Sequence, residues 1–224
     1  GVFDPAVGIT NVLQVPAGKT LSFVGGPINI GAAPDAFAGG FLLAPGGPIN
    51  IVSVASPGEA RFDGTGFSVD SFARLGGINI NGNSVIDGKE VFIRGGRLVI
   101  ERASILPGFF FLSGFPVVPP NGGVVNIHTS DSVTIKGPPS DLNGFSGILT
   151  FAGNPVPGDV PHISIKSSSI SLSEGAVIQT VRLGPGNPAN VSLEPDTVDI
   201  RNGAQVNAQN FFQGPGGTLT VKAR

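Results

Sequence analysis

Apolar and polar residues alternate along this chain in runs too short for helices and regular enough for strands. The segment Asn190 to Val221 shows the pattern best. Val191-Ser192-Leu193 alternates, Glu194-Pro195-Asp196 interrupts, and Val198-Asp199-Ile200 alternates again; Arg201-Asn202-Gly203 turns, and Ala204-Gln205-Val206-Asn207-Ala208 alternates a third time. A strand directs alternate side chains to one side, so Val191, Leu193, Val198, Ile200, Ala204 and Val206 are expected to point inward. The preceding unit repeats the plan with Ile163 and Ile165, Ile170 and Leu172, the turn Ser173-Glu174-Gly175, and Ala176-Val177-Ile178. Both units place Gly followed by Ala at one corner, where Gly supplies a positive φ and Ala fits a narrow core. Val85 to Ile93 reads alike, and no stretch sustains helical periodicity.

The hexapeptide Gly-Gly-Pro-Ile-Asn-Ile occurs at Gly25 to Ile30 and again at Gly46 to Ile51. Looser copies follow at Gly76 to Ile80, Gly95 to Ile100, Gly122 to Ile127 and Gly216 to Val221, while His162 to Ile165 and Asn190 to Leu193 keep the strand without the glycines. A unit returning every 19 to 38 residues is the mark of a solenoid, whose units bury their apolar faces by stacking. The motif is read as the first strand of each coil, with Gly-Gly as corner, Ile as core and Asn as outer flank. On that reading Asn29, Asn50, Asn79 and Asn126 form an exposed polar ladder continued by Ser164, Ser192 and Thr220. The ladder is read as structural, because an outward position between two buried aliphatics has to be polar. Parallel pairing between successive coils then predicts an all-β, right-handed parallel β-helix of about eight coils, a rod of roughly 40 Å.

Composition changes this picture little. Gly 35 and Pro 20 would suggest disorder, but the 40% hydrophobic content argues against it, so these residues punctuate turns. Cysteine is absent, which excludes disulfides and thiolate chemistry. Met is absent even at residue 1, which reads as a chain that begins inside a longer precursor. No apolar run reaches the length of a membrane span, and a net charge of −2 with 12% charged residues offers no basic surface to nucleic acid.

Candidate chemistry is sparse. Asp63, Asp70, Asp87 and Glu90, with Arg61, Arg74 and Arg94, could in principle form the paired carboxylates of a carbohydrate-active β-helix. Asp63-Gly64 and Asp87-Gly88 nevertheless have the form of ordinary turns. His128 and His162 have only Asp131 and Asp159 near in sequence and are read as surface residues; no Gly-x-Ser-x-Gly elbow is present. No catalytic, cofactor-binding or metal-ligating residue is therefore assigned. The segment Ile105 to Pro120, carrying Phe109, Phe110, Phe111 and Phe115, is an apolar insertion extruded between two coils. It is either buried against the flank or exposed as a contact for a partner chain or surface. Asp35 to Phe41, with Phe37 and Phe41, is a weaker case of the same kind.

The run Leu13 to Gly26 resembles the pattern LQVPxGxTLxxVGG of filamentous haemagglutinin-type exoproteins, the substrates of two-partner secretion. Leu43 to Gly47 with Ile51 to Gly58 resembles APGGxIxxxSVASPGE of the same family. Ile200 to Ala208 and Gly214 to Val221 resemble its coil pattern IRxGAQVxA…GxGGxLTV. The resemblance implies one β-helix domain over 1–224, with 1–60 similar to the end of a secretion domain and 61–224 to the repeat coils that follow. It implies a secreted, non-enzymatic adhesin or fibre at the surface of a Gram-negative bacterium. Implied partners are an outer-membrane transporter during export, the remainder of a longer exoprotein or other copies of the chain, and host or surface glycans. The family's asparagine-proline signatures are not seen before Leu13. The chain stops at Arg224 after a strand without a polar cap, which reads as a piece of a longer rod or a subunit stacking end to end.

Overall fold

A computed structural model describes residues 12–31, 39–62, 66–107, 122–137, 146–152 and 159–223. Phe37, Phe109, Phe110, Phe111 and Phe115 lie outside these residues, as does Asp63. The first half contains β1 (Val12–Gln14), β2 (Leu21–Gly25), β3 (Ile28–Ile30), β4 (Phe41–Ser53), β5 (Arg61–Phe62), β6 (Phe67–Ser68), β7 (Gly77–Asn81) and β8 (Val85–Glu101). The second contains β9 (Ser104–Ile105), β10 (Val124–Lys136), β11 (Gly147–Ala152), β12 (His162–Ser173), β13 (Val177–Arg182), β14 (Val191–Ile200), β15 (Gln205–Asn210) and β16 (Leu219–Val221). There is no helix among the described residues, and so none long and apolar enough to cross a membrane.

Fourteen of these strands form one sheet in which every strand pairing is parallel, and it wraps around an axis as in a β-solenoid. The short pair β5–β6 is antiparallel and separate. The sheet has three faces because the long strands β4, β8, β10, β12 and β14 turn a corner without leaving the ladder. On the first face Leu21, Ile49, Val91, Val125, Ile163, Val191 and Leu219 are successive register partners. On the second, Ile28, Ile78, Leu98, Val133, Ile170 and Val198 form the equivalent row. The third carries Leu42, Ile86, Ile105, Ile148, Ile178 and Val206. Away from the two ends these rows are buried in a single aliphatic core, as the alternation requires. Each branched side chain meets its like one level away, which packs β-branched residues well.

The expected asparagine ladder is corrected by this register. Gly25 to Ile30 lies on the second face and Gly46 to Ile51 on the first, so the two identical hexapeptides occupy different sides of the solenoid. Asn29 pairs with Asn79 on the second face, and Asn79 Nδ2 donates to Asn29 Oδ1 at 2.8 Å. Asn50 and Asn126 belong to the first face, in the outer row Ser22, Asn50, Phe92, Asn126, Ser164, Ser192, Thr220. Nor is Asn50 exposed: it is 0% accessible, beside Phe92 at 8%. The described residues between Ala55 and Arg74 depart from the ladder, and a Cβ added at Gly66 would stand 3.5 Å from Phe92 Cδ1 on this face. The physical reason is that two faces demand the same apolar-polar-apolar triplet after a small corner residue, so the motif marks a kind of corner and not a level.

Corners follow the side-chain chemistry. Between the first and second faces the column Gly25, Ser53, Gly95, Thr129, Ser167, Pro195 holds small or polar residues. Thr129 Oγ1 donates to Ser167 Oγ at 2.8 Å, and Ser167 Oγ to the Ser169 carbonyl at 3.0 Å, satisfying groups that the bend would otherwise bury unpaired. Glu194-Pro195-Asp196, expected to break the strand, instead continues it, because Lys166 pairs with Glu194 and Ser167 with Pro195. Between the second and third faces the expected Gly-Ala corners are present: Gly175 has φ 72° and Gly203 φ 77°. The preceding Glu174 and Asn202 are left-handed as well, at 56° and 52°.

Candidate functional site

The acidic candidates do not gather. Asp87 is buried on the third face as the partner of Leu43, while Glu90 stands on the first face opposite Pro48. Asp70 lies off the ladder and accepts from Ser68 Oγ at 2.9 Å. Arg61 is an exposed partner of Glu59 at 2.8 Å, and the Arg74 backbone N–H donates to Ser56 Oγ at 3.0 Å. Phe41 is half-buried at the start of β4, between Val12 and Val85 in register. His162 is held within the fold: its Nδ1 accepts the Asn190 backbone N–H at 2.9 Å, and Asn190 Oδ1 in turn accepts the Thr218 N–H at 2.9 Å one level on. At these two levels a polar side chain thus replaces a ladder acceptor where the chain enters the first face.

The structure gathers a different set, at the outer edge of the corner between the first and second faces. Val52, Arg94, His128, Lys166 and Glu194 are successive register partners, and Lys222 follows the next partner, Val221. Arg94 is tied to the sheet, with Nη1 donating to the carbonyls of Ile93 and Asn126 at 2.9 and 3.0 Å. Glu194 pairs with Lys222 at 3.6 Å. His128 has its pKa lowered, first by partial burial, then by the positive charges of Arg94 and Lys166; Asp70 acts in the opposite sense. A groove of about 360 Å³ opens below, lined by His128 to Ser130, Lys166 to Ser168, Glu194, Asp196, Lys222 and Ala223. The spacing of this row, interrupted by insertions between levels, hides it in the sequence. A visible trace is the charged residue after the strand in Ile165-Lys166, Leu193-Glu194 and Val221-Lys222.

A second surface lies at the end that the sequence leaves without a polar cap. At the last described level the inward rows come to light: Val198, Ile200, Leu219 and Val221 are 38–45% exposed. Phe211 and Phe212, in the loop after β15, are exposed as well. Arg182, buried, organises that loop: Nε donates to the Gly184 carbonyl at 2.9 Å and Nη2 to the Gln213 carbonyl at 2.8 Å, with the guanidinium 5.4 Å from the Phe212 ring centroid.

No family model, no curated protein and no solved structure matches the chain.

Proposed function

We propose that this chain is a structural and adhesive segment of a secreted, filamentous-haemagglutinin-like surface protein, working as a rigid, non-enzymatic rod. The observation that carries the reading is the unbroken parallel register from Leu21 to Leu219 on the first face. Such a stack resists bending and leaves little backbone for proteases, which suits a stalk that holds contacts away from a cell. In this reading 1–224 is one domain, a right-handed β-helix of about eight coils, with 1–60 related to the end of a secretion domain and 61–224 to repeat coils. Export through an outer-membrane transporter and contact with surface glycans belong to the same proposal.

A filament subunit is the second reading, in which Val198, Ile200, Leu219 and Val221 would meet the next copy. Apolar rows in line with unpaired strand edges are the surface on which another coil adds, whether from a longer chain or a second copy. Against a polysaccharide lyase or hydrolase stands the placement of Asp87 and Glu90 on different faces. Beads coated with the purified chain test the adhesive reading. They are expected to adhere to glycan-bearing surfaces above bare beads and to leave polyuronides intact. Polyuronide depolymerisation without adhesion would contradict it.

A further inference from the structure

The groove beside Lys166 exists because one corner is longer than its neighbours. From Arg94 to Arg97 and from Lys166 to Ser169 the chain takes three steps around the corner, whereas its partner in β10 takes four, from His128 to Ser132. The extra residue is a β-bulge, a device that re-aims side chains near sites. Here it leaves Ser130 and Asp131 exposed as a lip, with Ser130 Oγ donating to Asp131 Oδ1 at 2.6 Å and Ser168 Oγ donating to the Ser130 carbonyl at 2.7 Å. Gly96 makes room on the far side, since an added Cβ would stand 3.2 Å from Asp131 Oδ2.

Below the lip, Lys166 and Asp196 make no hydrogen bond or ion pair with the described residues, while Glu194 is engaged by Lys222. The lining therefore offers one free cation, one free carboxylate and the exposed hydroxyl oxygens of Ser130 and Ser168, whose protons are already donated within the fold, with its charges balanced. A phosphate or sulfate would gain nothing overall from Lys166 and would face Glu194 and Asp196. The lining includes no Phe on which a base or an apolar side chain could stack. Hydroxyl groups, each both donor and acceptor, match such a surface.

We propose that this groove binds a neutral sugar ring, with Lys166 donating to one hydroxyl and Asp196 accepting from another. The inference rests on the adhesive reading and gives it a ligand site. Titration of the isotope-labelled chain with cellotetraose, and separately with tetragalacturonate, tests it through backbone amide shifts. Cellotetraose is expected to move the amides of His128 to Asp131, Lys166 to Ser168 and Glu194 to Asp196. Lys166→Gln and Asp196→Asn are each expected to weaken binding by about tenfold, the loss of a charge-assisted hydrogen bond. An absence of shifts, shifts that neither substitution alters, or tighter binding of tetragalacturonate would overturn the proposal. Unchanged spectra elsewhere in the variants separate a failed site from a failed fold. Bead adhesion measured on the same proteins separates it from a failed adhesive reading.

Discussion

The Oδ1 of Asn50 is buried and has no hydrogen-bond partner among the described residues, while its Nδ2 donates to Ser22 Oγ at 3.1 Å. A buried amide half satisfied in this way costs free energy that an apolar residue of similar size would not. Asn50→Leu is therefore expected to leave stability unchanged or raise it by about 1–2 kcal/mol in urea unfolding. A loss of more than about 1 kcal/mol would mean that the amide is engaged. His128 gives a residue-scale prediction in pH. Its folded-state pKa lies below the ordinary 6.5 because burial, Arg94 and Lys166 disfavour the charged ring. The unfolded chain thus takes up this proton first as the solution is acidified, so stability present above about 6.5 declines as pH falls toward the folded-state value. The urea midpoint is expected to fall between about pH 8 and pH 5.5, and His128→Gln to flatten part of that fall. Identical slopes for the two proteins would contradict the assignment.

At the scale of elements, the sequence made the inward positions legible and left their level unreadable. Period-two alternation picked out Val191, Leu193, Val198 and Ile200, all of which lie on inward rows. The same alternation could not tell Asn29 from Asn50, because identical hexapeptides satisfy two faces. It also made Glu194-Pro195-Asp196 look like an interruption, since a bend that keeps its ladder partners reads like a turn. The Gly-Ala corner was legible because only a glycine takes φ 77° freely. A Cβ at Gly203 would meet nothing within 4 Å, so Gly203→Ala isolates the backbone term. Its expected cost is about 1–2 kcal/mol in thermal or urea unfolding, and no cost would show that the corner relaxes.

For the whole molecule, the candidate groove was illegible for a reason of spacing. Ile49 follows Leu21 by 28 residues, as Val191 follows Ile163 and Leu219 follows Val191, but the levels between Ile49 and Ile163 are separated by longer and unequal stretches. Only pairing brings Arg94, His128 and Lys166 into one row, and only the bulge at His128–Ser132 opens space beneath it. A final strand without a polar cap was legible, but which inward residues lie bare beside it was not, since an inward position looks the same in sequence whether or not another coil covers it. Parallel register defines the stack, and a chain with Cys 0 allows that register to be read directly by oxidation of engineered pairs. Neighbours in the outer row of the first face, Asn126 with Ser164, Ser164 with Ser192, and Ser192 with Thr220, are within disulfide reach across parallel strands. Each of these double-cysteine variants is expected to crosslink readily, whereas Asn126 with Ser192 and Ser164 with Thr220, two levels apart, are not. Crosslinking of the skipped pairs, or its failure in the adjacent ones, would contradict the stacked solenoid.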